Sequence, residues 1–132
     1  MSLANLFRKT QSSPRLEAVI AKAVAYLKTQ ADDGYILPRI VGKAIGESEV
    51  TAATALRILE ERGVTKQHFR AYCAKTHDSL DTQDDPDKFD PSPYCNICDE
   101  EHSLSDDTCK IEVYYSVDRD TLTRYEARIS AA

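Results

Sequence analysis

Two kinds of apolar spacing divide this chain: helical intervals up to residue 62, and alternation after Gly63. Leu16, Val19, Ile20, Ala23, Val24 and Leu27 recur at i, i+3, i+4, i+7, i+8 and i+11, the stripe of an amphipathic helix. Ser12 or Ser13 before Pro14 marks its start and Asp32-Asp33-Gly34 its stop, which predicts a helix over about 14–31. Tyr35-Ile36-Leu37 is a short apolar connector suited to a small strand, and Pro38 opens a second helix over 38–45. On it Ile40, Val41, Ala44 and Ile45 have the spacing of a short buried face. A third helix over 48–62 places Val50, Ala52 or Ala53, Leu56 and Leu59 on one stripe, with Ile58 at its edge. Gly46 provides the left-handed residue that ends the second helix, Ser48 caps the third, and Gly63 ends it.

Beyond Gly63, Thr65, Gln67, Phe69, Ala71 and Cys73 alternate with Lys66, His68, Arg70 and Tyr72, predicting a strand near 67–73. Asp78–Pro93 is polar, holds Phe89 without any period, and reads as a loop. Lys110–Val117 alternates again, with Ile111, Val113, Tyr115 and Val117 facing one way. Asp118-Arg119-Asp120 makes a turn, and Leu122, Tyr125 and Ile129 predict a closing helix capped by Asp120 or Thr121. Met1–Ser12 carries no periodic pattern and reads as a loose arm.

The segment Arg39–Val64 resembles the helix-turn-helix of winged-helix proteins. Ile45-Gly46, Ser48, Thr51-Ala52, Leu56, Leu59-Glu60 and Gly63-Val64 fall in step with that family's cadence, with Gly42 where a small Ala is usual. The resemblance covers roughly a fifth of the chain and implies a third helix lying in the DNA major groove. It would turn Glu49, Val50, Ala53, Thr54 and Arg57 toward the groove, with Lys43, Lys66 and Arg70 reaching phosphates from the flanks. Thr54 and Arg57 suit base or phosphate contacts, whereas Glu47 and Glu49 oppose phosphate and instead favour the helix dipole. Winged helices also serve as protein docking modules, so the partner stays open between duplex DNA and a protein.

Charge sharpens the division. The chain carries a net −5. Residues 1–75 hold twelve Lys/Arg against seven acids, so +5, and residues 76–132 hold five against fifteen, so −10. The helical half can approach a polyanion and the other half is repelled by one. No apolar run reaches the roughly 20 residues of a membrane span, and the first residues lack a signal-peptide core. The expectation is a cytoplasmic chain with reduced cysteines and no membrane partner.

Reduced cysteines direct attention to metal. Cys73-x3-His77 and Cys95-x2-Cys98 each follow a tyrosine, and each is a ligand pair one turn can present to a single ion. This stretch resembles a degenerate zinc ribbon with Cys73, His77, Cys95 and Cys98 around a structural zinc. A histidine stands for one cysteine, and Asp99 stands where a knuckle usually has Gly. A rival set, Cys95, Cys98, His102 and Cys109, has the spacing of compact knuckles that bind single strands. Its intervening Asp99, Glu100, Glu101, Asp106 and Asp107 oppose phosphate, and Cys109 could equally pack as a small apolar residue.

The fold expected is α+β: an arm over 1–13, a winged-helix-like three-helix domain over 14–72, and a zinc-ribbon-like β module with a terminal helix over 73–132. The chain has no phosphate-cradling glycine loop and no nucleophile motif, so it is read as not an enzyme. The two functions carried forward are a DNA-binding regulator with a structural zinc and a protein–protein adaptor in a larger assembly. A regulator of this size would act as a homodimer. Its candidate surfaces are the edge of strand 110–117 and the terminal helix, with Tyr114, Tyr115, Leu122 and Tyr125.

Overall fold

The computed structural model describes residues 13–131, and the side chains of 13–128; the arm expected over 1–12 lies outside the described residues. Helix α1 spans Pro14–Thr29 and starts where its cap requires: the Ser13 side chain accepts the Leu16 amide, with proline in the first turn. Helix α2 spans Pro38–Ile45 and helix α3 Glu49–Glu61. Five strands follow: β1 Thr65–Cys73, β2 Ser79–Gln83, β3 Tyr94–Cys95, β4 Glu100–Glu101 and β5 Cys109–Val117. Helix α4, Arg119–Ala131, closes the described chain. The fold is mixed α+β, with antiparallel pairing of β1 with β2 and of β3 with β4. No described helix is long and apolar enough to cross a membrane.

The chain divides into two compact units, Met1–Lys66 with Tyr115–Ala132, and Gln67–Tyr114. The terminal helix, expected beside the metal module, therefore belongs to the helical unit. Its side chains explain the grouping. Leu122 is buried in that core, Lys28 pairs with Glu126 at 2.7 Å, and Arg62 bridges Glu17 at 2.7 Å and the Tyr125 hydroxyl at 2.5 Å. Arg119 pairs with Asp33 and donates to the Leu27 and Gln30 carbonyls. Asp118, rather than Asp120 or Thr121, caps α4 by accepting the Thr121 amide at 3.1 Å.

Val19, Ile20, Ala23, Val24 and Leu27 of α1 are all buried, as their spacing requires. The α3 stripe is shifted from expectation: Ala52, Ala55, Leu56, Ile58 and Leu59 are buried, while Val50 is 76% exposed. On α2 only Pro38, Val41 and Gly42 are buried, at i, i+3 and i+4, and Ile40 is 41% exposed. Ile36 of the connector forms a single antiparallel bridge to Tyr115, itself buried.

The turn between α2 and α3 is tight enough to dictate its sequence. Gly46 is left-handed at φ 75 and Ser48 accepts the Thr51 amide at 3.1 Å. A methyl group on Gly42 would lie 2.9 Å from the Glu47 carbonyl oxygen and 3.0 Å from that of Ser48. Gly42 is thus the residue that lets α3 leave the turn so close to α2.

In the second unit β2 forms where the polar composition predicts a loop. It pairs antiparallel with β1, Phe69 with Gln83 and Tyr72 with Ser79, across a bulge at Ala71/Tyr72. Leu80, its single apolar residue, packs with Phe69 and Leu104 on a small core of Ala71, Phe89 and Cys109. An edge strand with one partly buried apolar side chain has no alternation to read.

Gly42→Ala should destabilise the helical unit by about 1–3 kcal/mol, because the obstacle is backbone that cannot rotate aside. Thermal unfolding checks this: Tm should fall, whereas Gly34→Ala, whose new methyl meets only an aspartate oxygen at 3.6 Å, should fall far less.

Candidate metal centre

Four side chains converge in the second unit: Cys73 at the end of β1, Cys95 in β3, Cys98 in the turn after it, and His102 just past β4. Their ligand atoms all lie within 4.8 Å of one another. The cluster takes Cys73 from one expected ligand set and His102 from the other.

Local backbone explains the choice. In the second knuckle the Cys98 amide donates to Cys95 Sγ at 3.5 Å, and Asp99 takes a left-handed φ of 56. Asp99 thus adopts the conformation a knuckle glycine would supply, its hydroxyl partner being Tyr94. The first knuckle repeats this geometry: the Thr76 amide donates to Cys73 Sγ at 3.4 Å, and His77 is left-handed at φ 66. By this alignment Thr76 stands where the second ligand would be, and His77 stands at the glycine corner. His77 packs edge-on against Tyr72 at 5.8 Å and is not in the cluster, where His102 stands in the place expected for it. The spacing Cys-x3-His concealed that corner because spacing carries no φ.

His102 is 3% exposed, and neither ring nitrogen has a hydrogen-bond partner. The Glu100 carboxylate is 4.0 Å from Nδ1, beyond hydrogen-bond range. A buried imidazole without partners costs about 1–3 kcal/mol unless something else satisfies it, and a metal ion does so directly. Backbone places the ring: the His102 amide donates to Pro93 O at 2.8 Å, while β3 and β4 pair Tyr94 with Glu101 and Cys95 with Glu100.

The thiols are electrostatically unequal. Hydrogen bonds from Thr76 pull the Cys73 thiol down to about 6, whereas burial, then contact with Cys73 and Cys95, pushes Cys98 up to about 11. Their sulfurs are 3.8 Å apart. Such a pair holds one thiolate readily and a second only when a cation compensates it. Cys73 and Cys95 are buried and Cys98 is half-buried. The cluster borders a cleft of about 430 Å³ also lined by Lys75, Ile97, Glu100 and Asp107. Cys109 is outside the cluster and packs in the Ala71–Phe89 core, with burial raising its thiol.

The residues expected to meet nucleic acid fall in different surroundings. Lys43, Arg57 and Lys66 are exposed. Thr54 donates its hydroxyl to the Val50 carbonyl at 2.9 Å. Arg70 lies in the second unit, where it pairs with Glu112 at 3.0 Å, donates to the His77 carbonyl and Ser79, and covers the Tyr72 ring at 4.8 Å. Its guanidinium is occupied in holding the sheet.

Metal content per chain should fall to near zero in Cys73→Ser, Cys95→Ser, Cys98→Ser and His102→Ala, and should stay at the wild-type value in His77→Ala and Cys109→Ser. Elemental analysis of the purified variants reads this out. Retention in His102→Ala with loss in His77→Ala would favour the set Cys73, His77, Cys95 and Cys98 instead. Comparison of the chain with protein families, with curated proteins and with solved structures found no match in any of the three.

Proposed function

We propose that this chain is a non-enzymatic DNA-binding regulator whose Cys73, Cys95, Cys98 and His102 hold one structural zinc ion. Three sulfurs and one imidazole nitrogen are the donor set of closed, four-coordinate zinc sites. With bonds of about 2.3 Å, two sulfurs on a zinc tetrahedron sit about 3.8 Å apart, and the Cys73 and Cys98 sulfurs have that separation. Zinc would supply folding free energy to a unit whose own apolar core is small.

The DNA reading is carried by the charge around the helix-turn-helix. Glu47, the acid expected to repel phosphate, is held by Arg15 at 3.4 Å and Lys22 at 3.6 Å. Arg39 and Lys43 on α2 and Arg57 on α3 are exposed, as is Lys66 after the motif. The helical unit contains thirteen Lys/Arg against ten acids, so +3, and the metal-binding unit four against twelve, so −8. Phosphate would therefore be approached by the helical unit, with Arg57 as the candidate base contact and Lys43 and Lys66 as phosphate contacts. Thr54 and Arg70 drop to secondary roles because their polar groups are engaged.

One observation favours protein docking as a second reading: Val50 and Ile40, both on the helix-turn-helix, are large apolar side chains left at the surface. An apolar rim of this kind suits a protein partner better than phosphate.

About one equivalent of zinc should copurify. In a duplex mobility-shift titration, affinity should fall steeply as salt rises, and Arg57→Ala should cost about 1–3 kcal/mol if that residue meets a base. Absence of duplex binding at low salt, with stoichiometric protein retained from a nuclease-treated pull-down and lost in Val50→Asp, would replace the DNA reading with the docking one.

A further inference from the structure

In the order β2-β1-β5, β5 is an edge strand. Tyr115 exchanges both backbone hydrogen bonds with Ile36 at 2.8 Å, and the Val117 amide donates to Asp33 O at 2.7 Å. Tyr115 and Val117 therefore turn their peptide groups away from β1. Peptide direction alternates along a strand, so Ile111 and Val113 turn theirs to the same margin. Among the described residues no backbone group meets them there. Ile111 is 47% exposed, on the face that carries buried Cys109, and Lys110 beside it is exposed.

We propose that this margin pairs with the same margin of a second copy of the chain, antiparallel, with Ile111 opposite Ile111 across a two-fold axis. The occupant follows from the edge's own self-complementarity. In this register the outward peptide groups of the two Ile111 residues exchange reciprocal bonds, and Val113 faces Cys109. Lys110 faces Glu112 of the second copy on each side of the axis, in the closer, non-hydrogen-bonded pairing. Glu112, which pairs with Arg70 within its own chain, carries the charge opposite to that of Lys110. The two exposed Ile111 side chains cover each other and extend the apolar face that begins at Cys109.

Other registers that keep the outward peptide groups paired fare worse. Centring on Lys110 or on Glu112 sets like charges opposite each other. Centring on Val113 requires the peptide group of Tyr115, which Ile36 already uses. The selected register spans Cys109–Val113 and stops short of that bridge. A contact so short makes a reversible, concentration-dependent dimer. The Tyr115 and Leu122 side chains, which the sequence offered as dimer surface, are buried within one chain and play no part. The proposal stands on strand geometry and does not depend on the DNA reading.

The test is sedimentation equilibrium of the full metal-loaded chain, with amide exchange at Ile111 and Val113 measured over the same concentrations. Wild type should pass from monomer to dimer, and exchange at those two amides should slow as it does. Lys110→Glu opposes like charges twice across the axis and should raise the dissociation constant by about tenfold or more. Ile111→Asp should do the same, and Val50→Asp should leave it unchanged. A chain that stays monomeric throughout, or a dimer whose Ile111 and Val113 amides exchange at the monomer rate, overturns the proposal. So does a dimer that Lys110→Glu leaves intact. Lys110 is exposed, and metal content and circular dichroism of each variant separate loss of pairing from loss of folding.

Discussion

The convergence of three thiols and one imidazole governs the second unit. Its apolar core consists of Ala71, Phe89 and Cys109 with three partly buried neighbours, which is little to set against the ordering of nearly fifty residues. Twelve acids in the same unit repel one another. The ligand cluster joins the end of β1 to the β3–β4 hairpin, two segments separated by the polar stretch that includes β2. Without a cation, one buried imidazole is unpaired and one thiol is held far from ionisation. The geometry of the unit is thus poised around a charge that its own side chains do not provide.

The helical unit depends on sterics instead. Gly42 is the point where the Glu47 and Ser48 carbonyls approach α2, and Ser48 then caps α3. The position of α3 follows from that contact, and with it the outward aim of Arg57. Glu47 sits beside the same turn and is neutralised by two cations from α1. A single tight turn therefore fixes both the packing of the motif and the sign of the charge around it.

Helices were legible because burial on one side repeats at 3.6 residues, and caps and glycines mark their ends. The stripe of α1 is buried from Val19 to Leu27, with Leu16 partly buried, but periodicity could not say which borderline residue faces inward. Val50 and Ile40 fit a helical stripe equally well, and the packing of short helices through Ala52, Ala55 and Gly42 left both outside. β2 was illegible because its order comes from backbone pairing and one leucine. At the candidate metal centre the sequence offered all four clustered residues but not their grouping. Cys-x3-His and Cys-x2-Cys-x3-His are both plausible on spacing, and the decision rests on a left-handed residue at His77. Asp99 illustrates the converse: a residue that looked like a departure from the knuckle pattern adopts the glycine's φ.

These separate determinants bear on how the two units could be used together in one function. A unit of net −8 adds a repulsive term to any approach toward phosphate, and that term weakens with salt along with the attraction. Under the proposed reading, the acidic unit is therefore better suited to assembly than to DNA contact. Its locked Arg70 points the same way, since the unit's strongest cation is spent on Glu112 and on the backbone of the first knuckle. The metal then serves recognition indirectly. It would tie the end of β1 to the β3–β4 hairpin, and pairing two chains through the open margin of β5 would present two helix-turn-helix motifs at once, where one alone reaches few base pairs.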